Sequence, residues 1–362
     1  MKKRIIAIFM VLFITFGISG CQGTGSVHNE NNPVKTIVDC NGRNVTIPEN
    51  PERVACLYAS TAHMMTMLGQ ENKIVGAPRG IKRDTLMLKK RPDIKNISVP
   101  FQDGSINIEE LIKNKTEMVL LRRSTAASAG EIEKLDKAKI PYAVVDYTTI
   151  DELKQAIRVT GTVFNCSDKA EAYIAYCDRI ITMVKNEISK IPDSDRIRVY
   201  HAVNEAARTD LEGDICSEII EIAGGIDVST GGGNLVTEEE KTMTTLEQIY
   251  SWNPEMFLVN EANTADYIRS DPKWTGLKAV QDQKVVNLPI GVTRWCHPGS
   301  MEPQMAILFI AKKLYPASFE DVNLSMITQT YYHDYFNLDL SEEEVLTILS
   351  GEGIRLPKGE ET

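Results

Sequence analysis

After its first twenty positions, the 362-residue chain contains no apolar run approaching roughly eighteen residues, so nothing beyond the N-terminus is built to span a bilayer. It contains no Cys-x-x-Cys pair and no Cys/His spacing of a structural zinc site. Gly-x-Ser-x-Gly, His-Glu-x-x-His and Asp-x-Asp-x-Asp-Gly segments are all missing. Gly231-Gly232-Gly233 lacks the Lys-Ser/Thr that would complete a phosphate loop, so it reads as a flexible turn. No catalytic residue and no bare-ion metal site can be named from these motifs, and nothing demands an enzyme. Net basic charge is absent too. At −10, the chain as a whole is not a nucleic-acid binder, although a local basic cleft remains open to it.

What is present begins with export. Lys2, Lys3 and Arg4 precede an apolar core that is too short to span comfortably, and Ile18-Ser19-Gly20-Cys21 follows. That tetrad looks like the lipobox of a bacterial lipoprotein, in which the cysteine carries the lipid. Residues 1–20 are therefore expected to be a signal peptide and the small, polar residues 21–33 a flexible tether. The mature protein would be a monomer held through Cys21 at the extracytoplasmic face of a membrane. Six cysteines remain (Cys40, Cys56, Cys166, Cys177, Cys216, Cys296), and they are expected to be mostly unpaired and buried.

Hydrophobic content of 43% and charged content of 25% are ordinary for a globular chain. The length left after residue 33 suffices for two cores. Asn41-Gly42 between short alternating runs predicts a hairpin. From Arg53 onward, strands and helices alternate with short connections, which implies largely parallel sheets covered on both faces. Expected strands include 97–99, 118–121, 142–145, 198–203, 256–259 and 285–288. Between the halves lies Asp168–Ser189, with Tyr173, Cys177, Ile180, Val184 and Ile188 on one stripe. Asp168 and Glu171 suggest a variant capping box at its start. At ~1.5 Å per residue this helix is roughly 33 Å long, a rigid strut between two α/β lobes with a ligand cleft between them. The expected divisions are an N-terminal lobe at 34–150, a helical connection at 151–191, a C-terminal lobe at 192–315 and a helical extension at 316–362.

In open α/β sheets, ligands gather at the carboxyl ends of strands. The loops leaving strands here are rich in arginine: Arg79 (with Lys82 and Arg83 close by), Arg122 and Arg123, Arg208, and Arg294. Arginine's rigid fork matches carboxylate and oxyanion geometry, so the set suggests a cleft for an anionic ligand. Trp295, Cys296 and His297 fall where a cleft wall is expected. His63 opens the first helix, and hydrogen bonding or axial ligation of a chelate is the role open to it and to His297.

The segment 36–54, the helix ending at Leu68-Gly69, and Ile74-Val75-Gly76 resemble the start of the iron-complex and vitamin B12 periplasmic binding proteins. Asn107-Ile108-Glu109-Glu110-Leu111 before Met118–Leu121, and Thr245-Leu246-Glu247-Gln248-Ile249 before Asn253-Pro254-Glu255, repeat that family's grammar in each half. Lys115-Thr116-Glu117 stands where relatives often have Lys-Pro-Asp. The resemblance covers nearly all of residues 34–315. It implies two lobes joined by one long helix with little hinge motion. It further implies delivery of a metal chelate to the permease dimer of an ABC transporter and, through it, to the ATPase, with no intrinsic cofactor. Glu109 and Glu247 take the positions that dock onto permease arginines. Arg79, Phe101, Gln102, Arg122, Arg123, Arg208, Arg294 and Trp295 fall where relatives line the cleft. The abundance of arginine favours an anionic ferric siderophore or haem over a corrinoid. The alternative from another class is an extracellular enzyme or metallochaperone acting on a chelate.

Overall fold

Asn41-Gly42 turns the chain as the sequence predicts. β1 (Val34–Val38) pairs antiparallel with β2 (Asn44–Pro48), and Gly42 takes the left-handed φ of +72° that the turn needs. The structure is a computed structural model that describes residues 33–238 and 241–353. The expected signal peptide, Cys21 and all but the last residue of the tether lie outside the described residues.

The first lobe follows with β3 (Val54–Cys56), α1 (Ala59–Met67), β4 (Ile74–Gly76) and α2 (Thr85–Lys90), which Asp84 caps through two backbone amides. A short hairpin, β5 (Phe101–Gln102) with β6 (Ser105–Ile106), leads into α3 (Ile108–Lys113) and β7 (Met118–Leu121). α4 (Arg123–Ala126), α5 (Ala129–Ala138) and β8 (Tyr142–Val144) complete it. Its sheet is parallel throughout, in the order β4-β3-β7-β8. The strand expected at 97–99 shrinks to a single bridge between Gly76 and Ser98. Pro100 just beyond has no amide to extend a ladder.

α6 (Ile150–Val163) and α7 (Ser167–Ile188) form the connection. α7 is the strut. It buries Tyr173, Cys177, Ile180, Val184 and Ile188 as the stripe predicts, and packs against α6. The expected capping box is not there. The helix starts a residue early, Cys166 at its N-cap makes no side-chain bond, and Glu171 instead pairs with Arg158 of α6 at 2.8 Å. An ion pair between neighbouring helices has taken the carboxylate that would have reached back to the cap.

The second lobe contains β9 (Arg198–Ala202), β10 (Arg208–Thr209), α8 (Ile215–Ile222), β11 (Ile226–Asp227), β12 (Val236–Glu238) and β13 (Lys241–Met243). α9 (Leu246–Trp252), β14 (Met256–Val259), α10 (Ala262–Ser270), α11 (Lys278–Gln281), β15 (Val285–Asn287) and α12 (Pro303–Leu314) follow. Its main sheet is again parallel, ordered β11-β9-β14-β15. A three-stranded antiparallel sheet, β10-β13-β12, departs from the parallel grammar. In the extension, α13 (Leu324–Phe336) returns to the strut and α14 (Glu342–Ser350) packs against α13, where Ser341 with Glu344 forms a true capping box. The Tyr331 hydroxyl lies 3.3 Å from that of Tyr173, and the Tyr176 ring stacks on Tyr331.

One apolar core runs through all of this. Val54 and Met118 of the first lobe, Val184 of the strut, Val199 and Ile307 of the second lobe and Tyr331 of the extension belong to a single buried cluster. Two smaller clusters lie in the separate lobes. The six cysteines among the described residues are unpaired, four of them buried.

Two expectations follow. A Cβ on Gly161 would meet the Ala170 Cβ at 2.8 Å, where α6 and α7 cross. Helix propensity alone would favour Gly161→Ala by up to ~1 kcal/mol, but overpacking costs ~1–3 kcal/mol. Urea unfolding should show a net loss of stability that Ala170→Gly largely restores. Glu302 is wholly buried, accepting from the Thr293 amide at 2.7 Å and bonded to the hydroxyls of Thr293 and Tyr332. Burial raises its pKa from 4.5 to about 7 against those bonds. An acid raised in the folded state contributes stability that is full below its unfolded value and is lost as pH rises through the folded one. Glu302→Gln should therefore gain on the native protein between pH 4.5 and about 7, by on the order of a few kcal/mol. A pH-independent difference in Tm would contradict this.

Candidate functional site

Both parallel sheets share one strand order: the second strand, then the first, third and fourth. Order reverses between first and third strands, and at such a switch point the loops diverge and leave a crevice at the carboxyl ends. In the first lobe, β3 and β7 end there in Leu57-Tyr58 and Arg122. In the second, β9 and β14 end in Val203-Asn204 and Asn260-Glu261.

The first crevice holds a polar pair. The Arg122 guanidinium lies 4.6 Å over the Tyr58 ring, and Tyr58 is the N-cap of α1. No side chain caps that helix end, and its dipole favours an anion. Across from it stands the second lobe. A Cβ placed on Gly299 would lie 3.5 Å from the Tyr58 hydroxyl and 3.9 Å from His297 Nδ1. Tyr58 of the first lobe thus comes close to the Gly299 loop of the second, where the Gly299 amide donates to His297 Nδ1 at 3.3 Å. Nearby, the Tyr147 hydroxyl of the first lobe donates to Ser300 O at 2.9 Å. A cavity of about 220 Å³ lies between the lobes, lined by Tyr147 and Thr148 on one side and by Arg208, Asp210, Asp214 and Pro298 among others.

The residues expected at the cleft divide into two groups. Of these, Arg208 lines the cavity, Arg122 stacks on Tyr58 at the end of β7, and His297 lies beside Gly299. Arg79 is exposed at the start of a 3-10 turn after β4. Arg123 is already engaged: its guanidinium grips Glu152 at 3.1 and 3.2 Å, and its amide donates to Asp146 at 2.9 Å. Arg294 is paired with Glu261. Phe101 packs on the first lobe's own core, and Gln102 beside it lines an outer groove with Glu109. Trp295 is fully buried, its Nε1 donating to Tyr332 at 3.3 Å and its ring edge-on to Phe309. The ring therefore faces the core and not the cleft. His63 is buried as well, with Nε2 3.1 Å from the Asp84 carboxylate that caps α2. Glu109 and Glu247 sit exposed in the first turns of α3 and α9. The preceding residues Asn107 and Thr245 accept the capping amides at 3.1 and 3.2 Å, so the carboxylates are left to solvent.

Sequence reasoning missed Tyr58, Tyr147, Asp210 and Asp214. Tyr58 carried a usable signal, as the residue just past a buried strand. Beside Asp210 and Asp214 of the cavity lining, a histidine and two cysteines lie together. His201, Cys216 and Cys296 bring one potential ligand atom each within 4.8 Å of the others, and so do Asp210, Asp214 and Cys216. Burial, then the neighbouring Asp210, pushes Asp214 up to about 6 and Asp227 up to about 7.

Residues 54–290 match the family model described as periplasmic binding protein. The chain belongs to the periplasmic binding protein family. Within that family it is 24% identical to the molybdate-binding protein MolA of Haemophilus influenzae, over 83% of this chain and 91% of that one. It is 22% identical to YvrC of Bacillus subtilis, an ABC transporter substrate-binding lipoprotein, over 89% and 100% of the two chains. In three dimensions, a periplasmic solute binding protein from Veillonella parvula matches with a TM-score of 0.76 at 22% identity, covering 88% of this chain and 99% of that one. Molybdate-bound MolA matches with a TM-score of 0.74 at 22% identity, over 85% and 99%. The family is thus the one the sequence resembles, and its members are substrate-binding proteins of ABC transporters. Among the described residues, no helix is long and apolar enough to cross a membrane.

Proposed function

We propose that this periplasmic binding protein is lipid-anchored through Cys21 on the extracytoplasmic face and hands a compact anion, of oxyanion size, to an ABC permease. The observation that carries this reading is the cavity of about 220 Å³ between the strand ends of the two lobes. Pockets for drug-sized ligands run to ~300–1,000 Å³. Haem or a corrinoid would need the lobes to part, against a core that both share. Arg208 on the cavity wall, with Arg122 on Tyr58 at a neighbouring strand end, offers donors and positive charge suited to an oxyanion. The likeness to MolA, a molybdate-binding protein, supports the same class.

A second reading is a small ferric chelate. It is favoured by the arginine-rich loops and by likeness to the iron(3+)-hydroxamate-binding protein YxeB of Bacillus subtilis, 22% identical over 54% of this chain. In both readings, Glu109 and Glu247 are the permease-docking carboxylates. Each is stabilised by its helix dipole and open to a partner's arginine.

Calorimetric titration of the purified protein with molybdate, ferrichrome, haem and cyanocobalamin separates these readings. Saturable binding of molybdate, weakened about tenfold or more by Arg122→Ala through loss of a charge-assisted bond, is expected. Binding of ferrichrome alone would move the assignment to the chelate, and binding of haem or cobalamin would refute the size argument. Glu109→Lys with Glu247→Lys should abolish uptake by cells while leaving affinity unchanged. A parallel fall in affinity would remove the docking role.

A further inference from the structure

Beside the cleft, the second lobe gathers side chains for which anion binding gives no reason. His201 lies in the middle of the sheet on β9, Cys216 in the first turn of α8, and Cys296 in the loop after β15. All three are fully buried, and their ligand atoms lie within 4.8 Å of one another. His201 Nδ1 is 2.7 Å from Asp210 Oδ2, and His201 Nε2 has no hydrogen-bond partner although it is buried. Asp210 Oδ1 and Asp227 Oδ2 are buried without partners too. A neutral apolar core has no use for such a group. Unpaired buried polar atoms are costly, and a histidine with one beside two thiols asks for an occupant.

We propose that His201 Nε2, Cys216 Sγ and Cys296 Sγ bind a borderline-soft divalent cation of the zinc class, with Asp210 orienting the imidazole through Nδ1–H.

Two thiolates and one imidazole are the donor set such ions prefer, and the number matches a centre with three protein ligands and one open position. The carboxylate on the far ring nitrogen is the usual device for fixing the tautomer and turning Nε2 to a metal. Cys216 also stands with Asp210 and Asp214, both of which line the cavity. Asp214 is held by three backbone amides, from Leu211, Cys216 and Ser217, each at 2.9 Å, so it fixes the start of α8 and with it Cys216. The charge balance points the same way. Asp210, Asp214 and Asp227 crowd one imidazole, and a divalent ion would offset them. Burial opposes charge on His201, and the Asp210 carboxylate raises the imidazole's pKa against it. Burial likewise raises the Cys216 thiol well above its ordinary value. Metal entry then forms one N–metal and two S–metal bonds and releases the protons those atoms carry to solvent. The site stands whether or not the cleft carries an oxyanion, since none of its three ligands lines the cavity.

The test uses the purified protein, reduced and desalted without oxygen, titrated first with cobalt(II) chloride alone and then with zinc chloride. One equivalent of cobalt should develop sulfur-to-cobalt charge-transfer absorption, zinc should bleach it, and protons should be released. Zinc should also shield two thiols from a thiol reagent in the unaltered protein, a readout that needs no variant to fold. Cys216→Ser and Cys296→Ser should each remove at least half of the band. Asp210→Asn should keep the band but require on the order of 10–100-fold more metal. A reduced protein that gives no charge-transfer band would overturn the proposal. So would a band that survives the double cysteine variant, or an isolated protein whose Cys216 and Cys296 are joined by a disulfide and which takes no cobalt after reduction.

Discussion

The buried stripe of α7 is the constraint on which the rest depends. A two-lobed protein linked by exposed strands can hinge freely, because each lobe closes its own core. Here Tyr173, Cys177, Val184 and Ile188 are packed in the same apolar cluster as Val54 and Met118 of one lobe and Val199 and Ile307 of the other. Moving the lobes apart would open that cluster, at about 25 cal/mol for each Å² of apolar surface exposed. The extension strengthens the joint, with Tyr331 and Tyr335 packed on the rings of Tyr173 and Tyr176. A frame of this kind sets the size of the cleft before any ligand arrives.

The frame also decides which charges count. Arginine is plentiful in the loops, but Arg123 is clamped by Glu152 and Arg294 by Glu261. A paired guanidinium presents little field to a newcomer, so the number of arginines overstates how basic the cleft is. Arg208 is the arginine on the cavity wall, and Arg122 stacks on Tyr58 at the end of β7. The aspartates on the cavity wall, Asp210 and Asp214, pull in the opposite direction. A cation among His201, Cys216 and Cys296 would reconcile the two, since its charge would offset Asp210 and Asp214 beside the place an anion would occupy.

Much of the architecture was legible in the sequence because it is written locally. The Asn41-Gly42 turn, the strands at Met118–Leu121 and Met256–Val259, and the stripe of α7 each follow from a periodicity or a turn residue within a few positions. The features that escaped are set by partners far along the chain. Glu171 looked like a capping residue until Arg158 of the preceding helix claimed it. Trp295 beside an arginine looked like a cleft wall, yet its indole reaches Tyr332 in the extension and turns inward. The antiparallel trio β10-β13-β12 consists of strands of two or three residues, too short to show alternation. His201, Cys216 and Cys296 come from a strand, a helix and a loop, so no spacing rule could have joined them. That Arg122 follows a strand was readable, because the strand Met118–Leu121 before it is written locally.

Native-state hydrogen exchange along increasing denaturant tests the shared frame most directly. If one core holds both lobes, slowly exchanging amides of β7, the middle of α7 and β14 should merge into a single opening with one free energy and one denaturant slope. Two separate openings, with the amides of Ile180 to Val184 exchanging before either sheet, would mean that the lobes close their cores independently. The cleft would then owe its size to something other than the strut.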